Sequence, residues 1–198
     1  MKILFKSLCV SVVLTLVFAF IPFEGECRDI SSNVLRVHIL ANSDSEEDQN
    51  LKLKVRDALI TKSEMLFEDA HSKEEAIAVT SENLPELLNT AKSVILSEGY
   101  DYDVSAKIDN IYFDTRYYED VTMPGGYYDA LQIRIGEAKG KNWWCVMYPS
   151  LCLFSASKSE TLDSDLSTKQ YEIVKSEGEY EFRFRILEIF YSIIDFFS

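Results

Sequence analysis

Glycine and proline are scarce in this chain, seven and four of 198 residues, and neither a repeat nor a low-complexity tract is present. A composition of 47% hydrophobic and 27% charged residues excludes a chain too polar to bury apolar surface, so it should fold around one core. Basic residues are also short: 20 Lys and Arg stand against 33 Asp and Glu, a formal net charge of -13. Such a field repels phosphate backbones and anionic surfaces, which disfavours nucleic-acid binding and polybasic membrane docking. The signatures of several chemistries are missing as well. There is no G-x-S-x-G elbow, no phosphate loop and no H-E-x-x-H. The acidic group Asp44, Glu46, Glu47 and Asp48 lacks the alternating ligands, sixth-position glycine and closing glutamate of a calcium loop, so no metal is expected there.

Long hydrophobic runs are confined to the N-terminus. Lys2 and Lys6 precede a stretch, Leu8 to Phe23, that is apolar except for Ser11 and Thr15. It is short for a membrane-crossing helix, which needs about 20 apolar residues, and fits the core of a signal peptide. No A-x-A site follows, so an uncleaved anchor stays open beside a cleaved signal. Glu26 stands where a lipobox needs a small residue, so Cys27 is no lipidation site. Residues 1-27 are therefore expected to be a signal peptide or uncleaved anchor, and 28-198 an exported domain. Membrane contact is expected only through the N-terminal segment. Removing 1-27 deletes Lys2, Lys6, Glu24 and Glu26, and the charge of the remainder is still -13.

Val34 to Leu40 reads as a buried strand. Two capping boxes follow, Ser45 to Asp48 and Ser72 to Glu75, each opening a run with helical apolar spacing. Pro85 predicts a bend or break of the second helix near Asn83. From Tyr100 the period changes to two. Tyr127 to Ile135 and Trp143 to Tyr148 read as strands joined by the turn Gly136 to Asn142, and an antiparallel pair is the natural reading. Ser155 to Gly178 reads as a polar surface excursion. The expected architecture is α+β: two N-terminal helices packed on a largely antiparallel sheet, with the N-terminal signal or anchor segment and an apolar, helical C-terminal segment.

Three stretches carry a likeness to a known family: RVHILANSDSEEDQNLKLKVRDALI from Arg36, MPGGYYDALQIRIGEAKGKNWWCVMYPSLC from Met123, and EFRFRILEIF from Glu181. They resemble the stage II sporulation protein R family. The loop departs from the family's P-A-G-x-Y-x-A-L-R at Gly125 and Gln132, so the roles of those two positions do not carry over. The resemblance implies a non-enzymatic protein without cofactor or small-molecule substrate, made in the forespore and secreted into the intermembrane space. There it would meet a membrane-embedded aspartic protease of the mother cell and, by binding, cause it to mature an early mother-cell sigma factor.

Candidate partner-binding residues follow from the residues themselves. Asn42, Ser43 and Asp44 lie between a strand and a helix N-terminus, where they either offer side chains outward or serve as turn and cap groups. Trp143 and Trp144, after Asn142, point to opposite faces of a strand, so one is expected in the core and the other at an interface. Exposed Trp also stacks on sugars, which makes a cell-wall glycan-binding module the alternative function. The segment Asp114 to Tyr128 concentrates Pro124, Gly126, Tyr127 and further tyrosines where a polar connection is usual, and so either invites a partner or folds back over the sheet. Cys145 and Cys152 could form a disulfide across a turn, or remain separate thiols if both stay on one extended strand. Cys145 with His38 or His71 would meet the minimum for a cysteine nucleophile, but no known signature surrounds it.

Overall fold

The computed structural model describes residues 2–118, 121–149, 167–175 and 180–197. The elements run α1 (Lys2–Ser32), β1 (Leu35–Leu40), α2 (Glu46–Leu66), α3 (Lys73–Glu82), α4 (Leu84–Ser97), β2 (Val104–Phe113), β3 (Arg116–Tyr118), β4 (Val121–Met123), β5 (Gly126–Ile135) and β6 (Asn142–Tyr148), followed by α5 (Thr168–Lys175) and α6 (Glu181–Phe197). They fall into two compact units. One comprises Ser32–Ile111 and Tyr127–Asp165, the other Met1–Ser31, Tyr112–Gly126 and Leu166–Ser198.

The first unit is built on a four-stranded sheet of order β2-β5-β1-β6. The sheet is mixed, because β1 runs parallel to β5 and antiparallel to β6. This overturns the expected β5/β6 antiparallel pair: the two strands are not neighbours, since β1 lies between them. The reason is in β1 itself. Leu35, Val37 and Ile39 on one face and Arg36 and His38 on the other are all buried. A strand covered on both faces belongs inside a sheet with a partner on each side.

The helical layer differs too. Three helices, not two, follow β1, and α1 precedes it. Ser45 and Ser72 accept hydrogen bonds from the amides of Asp48 and Glu75, both 3.2 Å, so both expected caps form. The break comes at Asn83, and Pro85 sits in the first turn of α4, where its missing amide leaves no bond unmade. Leu51, Val55 and Leu59 of α2 and Leu87, Ala91 and Ile95 of α4 are buried. Their i, i+4, i+8 spacing gives each helix one apolar stripe, and α2 packs on α4 and on β1.

The second unit pairs β3 with β4 antiparallel, Arg116 opposite Met123. Its core draws on α1 and α6. Phe23 stacks on Tyr180 at 5.7 Å and lies 5.6 Å from Phe184, while Cys27 and Ile30 are buried. Lys169 of α5 bonds Glu26 of α1 at 2.7 Å. The helix α1 thus runs unbroken past the boundary expected at Cys27, because Phe23, Cys27 and Ile30 share a buried face at i, i+4, i+7. Among the described residues no helix is long and apolar enough to cross a membrane.

Candidate functional site

Insertion of β1 between β5 and β6 has a direct consequence. The chain leaving β5 must pass over the C-terminal end of β1 to reach β6, so the turn at residues 136–141 meets the segment Ala41–Asp44. Four hydrogen bonds tie them together. The Lys139 and Gly140 amides donate to the carbonyls of Asn42 (3.1 Å) and Ala41 (3.0 Å). Those of Glu137 and Lys141 donate to Asn42 Oδ1 (2.9 Å) and Asp44 Oδ1 (2.6 Å). The turn has the residues this approach demands. Gly136 has φ +54, and a Cβ there would stand 2.3 Å from Asn42 Oδ1; at Gly140 a Cβ would stand 2.0 Å from the Ser43 carbonyl oxygen.

Beneath this rim lies Asp48, buried in the first turn of α2. Its Oδ2 accepts from Asn42 Nδ2 at 2.8 Å and Ser43 Oγ at 2.5 Å. Burial opposes its charge, but hydrogen bonds from Ser43, Asn42 and Tyr102 outweigh burial and hold the carboxyl below its ordinary value of 3.8. Tyr102 shifts upward, through burial first and then through its bond to Asp48. One turn on, the buried Lys52 ammonium donates to Gln49 Oε1 (2.7 Å) and the Lys141 carbonyl (2.8 Å). Burial lowers its pKa, with the charge of Asp44 acting against the shift. Asn42, Asp101, Tyr102, Asp103, Gly136 and Glu137 line an open cleft beside the rim.

The register then carries the rim into β6: Leu40 faces Asn142, Ile39 faces Trp143 and His38 faces Trp144. Asn142 is exposed and both tryptophans are half-buried. The expected division into one core and one open indole therefore does not hold, because each ring has a covering neighbour. His38 stacks on Trp144 with ring centres 3.7 Å apart, and the Arg56 guanidinium of α2 lies 5.2 Å from the centre of Trp143. Gln132, the register partner of His38 in β5, bonds His38 Nδ1 at 3.2 Å, which gives Gln132 a local role of its own.

Two separate sequence motifs, Asn42–Asp44 and Asn142–Trp144, are thus brought to one end of the sheet. Tyr127 belongs to the same unit and is exposed; Pro124 and Gly126 belong to the other and are buried. The described residues of the segment Asp114 to Tyr128 form the paired strands β3 and β4 and the start of β5. Gly125 donates to Thr115 Oγ1 at 3.2 Å, and a Cβ on it would meet the Glu188 side chain and the Thr115 amide at 3.3 Å. Cys145 is disulfide-bonded, and Cys152 lies outside the described residues. Most of Ser155 to Gly178 is likewise outside them.

Sequence reading missed Asp48, Lys52, Gly136 and Gly140 as parts of this rim. Asp48 read as a capping acid, and only half of that box forms: its amide bonds Ser45 while its carboxylate turns to Asn42 and Ser43. Two glycines four residues apart in a chain with seven were the available signal. Among the described residues no group of three or more His, Cys, Asp or Glu could hold a metal ion.

The class defined by these features is a mixed α/β protein whose helix N-terminus, central strand and β5–β6 turn are cross-braced into a rigid polar rim beside paired tryptophans. Residues 31–158 match the family described as Stage II sporulation protein R (spore_II_R). A relative, the stage II sporulation protein R of Bacillus subtilis (strain 168), is 39% identical over 155 residues, covering 76% of this chain and 69% of the relative. The chain belongs to the stage II sporulation protein R family and has a sporulation-related role. No solved structure matches it.

Proposed function

We propose that the protein is an exported sporulation signal that acts by binding a membrane-embedded aspartic protease of the mother cell and so triggers maturation of the sigma-factor precursor. Family membership over residues 31–158 carries this reading. The rim supports it with a surface suited to recognition. Asp44 and Asn142 are exposed on segments whose backbones are hydrogen-bonded to each other or paired in the sheet, so little ordering entropy is lost on docking. Activation by binding needs a preference for the active state of the protease. Moving a 1:99 equilibrium to 99:1 takes about 5.5 kcal/mol of differential affinity. A few aromatic and polar anchors supply that scale of energy.

The glycan-binding alternative is weaker, since one face of each indole is already occupied by His38 or Arg56. The test uses membranes containing the protease and the precursor. Purified protein should start precursor cleavage, and should not cleave the precursor in membranes lacking the protease. Cleavage without the protease would refute the proposal; so would retention on peptidoglycan with no effect on processing.

A further inference from the structure

The C-terminal half of α6 holds six large apolar side chains in the open. Ile189, Ile193 and Phe196 form one row at i, i+4, i+7, and Phe190, Ile194 and Phe197 a second; Phe196 and Phe197 are 82% and 81% exposed. Glu188, Ser192 and Asp195 make a narrow polar stripe beside them. The helix is therefore amphipathic with a wide apolar arc and only one charge beyond Glu188.

A second apolar element lies alongside within the same unit. Phe20 of α1 meets Phe190 edge to face at 6.0 Å, and Phe23 meets Phe184 at 5.6 Å. Because the lower number on α1 meets the higher on α6, the helices run antiparallel, and the last turns of α6 extend along α1 toward Phe18. Toward its N-terminus α1 has one polar stripe, Ser7, Ser11 and Thr15, and exposes apolar side chains on more than one side. Ile3, Leu4 and Phe5 are 83%, 73% and 69% exposed although successive side chains diverge by about 100°. A protein groove covers a narrow strip of a helix, whereas a lipid surface takes up a wide apolar arc. No charged residue occurs between Lys6 and Glu24.

We propose that the C-terminal half of α6 is a lipid-docking element that lies in the bilayer interface together with the adjoining face of α1, the two held as one foot by the Phe20–Phe190 and Phe23–Phe184 contacts. Since no described helix can cross a membrane, α6 lies along the interface rather than through it. With a net charge of -13, apolar burial and not attraction to anionic headgroups drives the docking, so neutral lipid suffices.

The test is flotation of the full chain with phosphatidylcholine vesicles. The parent protein and a Leu96→Ser control, which alters an exposed apolar residue of α4, should float with the vesicles. The double variant Ile193→Ser, Phe196→Ser should partition at least tenfold more weakly with an unchanged circular dichroism spectrum. A Phe197→Trp variant should be quenched by brominated phosphatidylcholine beyond any quenching of Trp143 and Trp144 in the parent. Equal flotation of parent and double variant overturns the proposal. So does a parent that ignores vesicles but dimerises through this face, with the double variant monomeric.

Discussion

The backbone at Gly140 and the carbonyl of Ser43 are so close that a Cβ on the glycine would stand 2.0 Å from the Ser43 oxygen. The β5–β6 turn and the β1–α2 connection, almost a hundred positions apart, therefore touch main chain to main chain. Gly140→Ala must push them apart and should destabilise the protein by about 2 kcal/mol or more, at the upper end of overpacking effects. Denaturant unfolding followed by circular dichroism measures the loss; a wild-type midpoint would show that the approach is looser than drawn.

Asp48 links the rim to pH. Its folded pKa lies below 3.8, so it binds protons less readily in the folded than in the unfolded chain. Its contribution is fully present above the unfolded carboxylate range and is lost as pH falls through the folded value. Stability should therefore decline with acid below about pH 4, and Asp48→Asn should both lower stability at neutral pH, by roughly 1 to 3 kcal/mol, and flatten that decline. Melting curves of the two proteins across the acid range provide the comparison. Parallel curves would remove Asp48 from the account.

Pro85 should be dispensable for stability. It occupies the first turn of α4, after the break at Asn83, where no intrahelical amide bond is lost. Pro85→Ala is expected to change unfolding free energy by less than about 0.5 kcal/mol, measured by thermal melting. A large change would mean that the proline itself maintains the break.

Cys27 should be inert while the protein is folded. Burial, aided by the charges of Glu24 and Glu26, pushes its thiol pKa far up, so the reactive thiolate is suppressed. Mass spectrometry of the peptide carrying Cys27 should find no alkylation under native mildly alkaline conditions and complete alkylation in denaturant. Rapid native labelling would place the Phe23–Ile30 face of α1 outside the core.

For the proposed signalling role, Asn142→Ala and Trp143→Ala should reduce precursor processing at least tenfold, which corresponds to about 1.4 kcal/mol of lost coupling. Their melting temperatures should stay near that of the parent, since Asn142 is exposed and Trp143 half-buried. Inactive variants that are also unfolded would make these residues structural only.

Local features were legible in the chain because their causes are local. The serines at 45 and 72 cap helices through amides three residues ahead, Pro85 limits the turn before it, and the alternation near Leu131 to Ile135 sets a strand face. The likeness to the family was legible too, in blocks such as ANSDS and GKNWWCV. Strand neighbours were not. Two strands joined by a short turn look like a hairpin from sequence, and only the burial of both faces of β1, which needs a partner on each side, opens β5 and β6 to admit it. That insertion carries the turn over Asn42 and Asp44, aims Asp48 at Asn42 and Ser43 instead of its own cap, and leaves Trp143 and Trp144 each with a covering neighbour. Likewise, the burial of Phe23, Cys27 and Ile30 was not legible, because it depends on contact with Tyr180 and Phe184, more than 150 positions away. Residue type and short-range spacing decide caps, breaks and faces; which buried surface meets which is decided by excluding water from all of them at once.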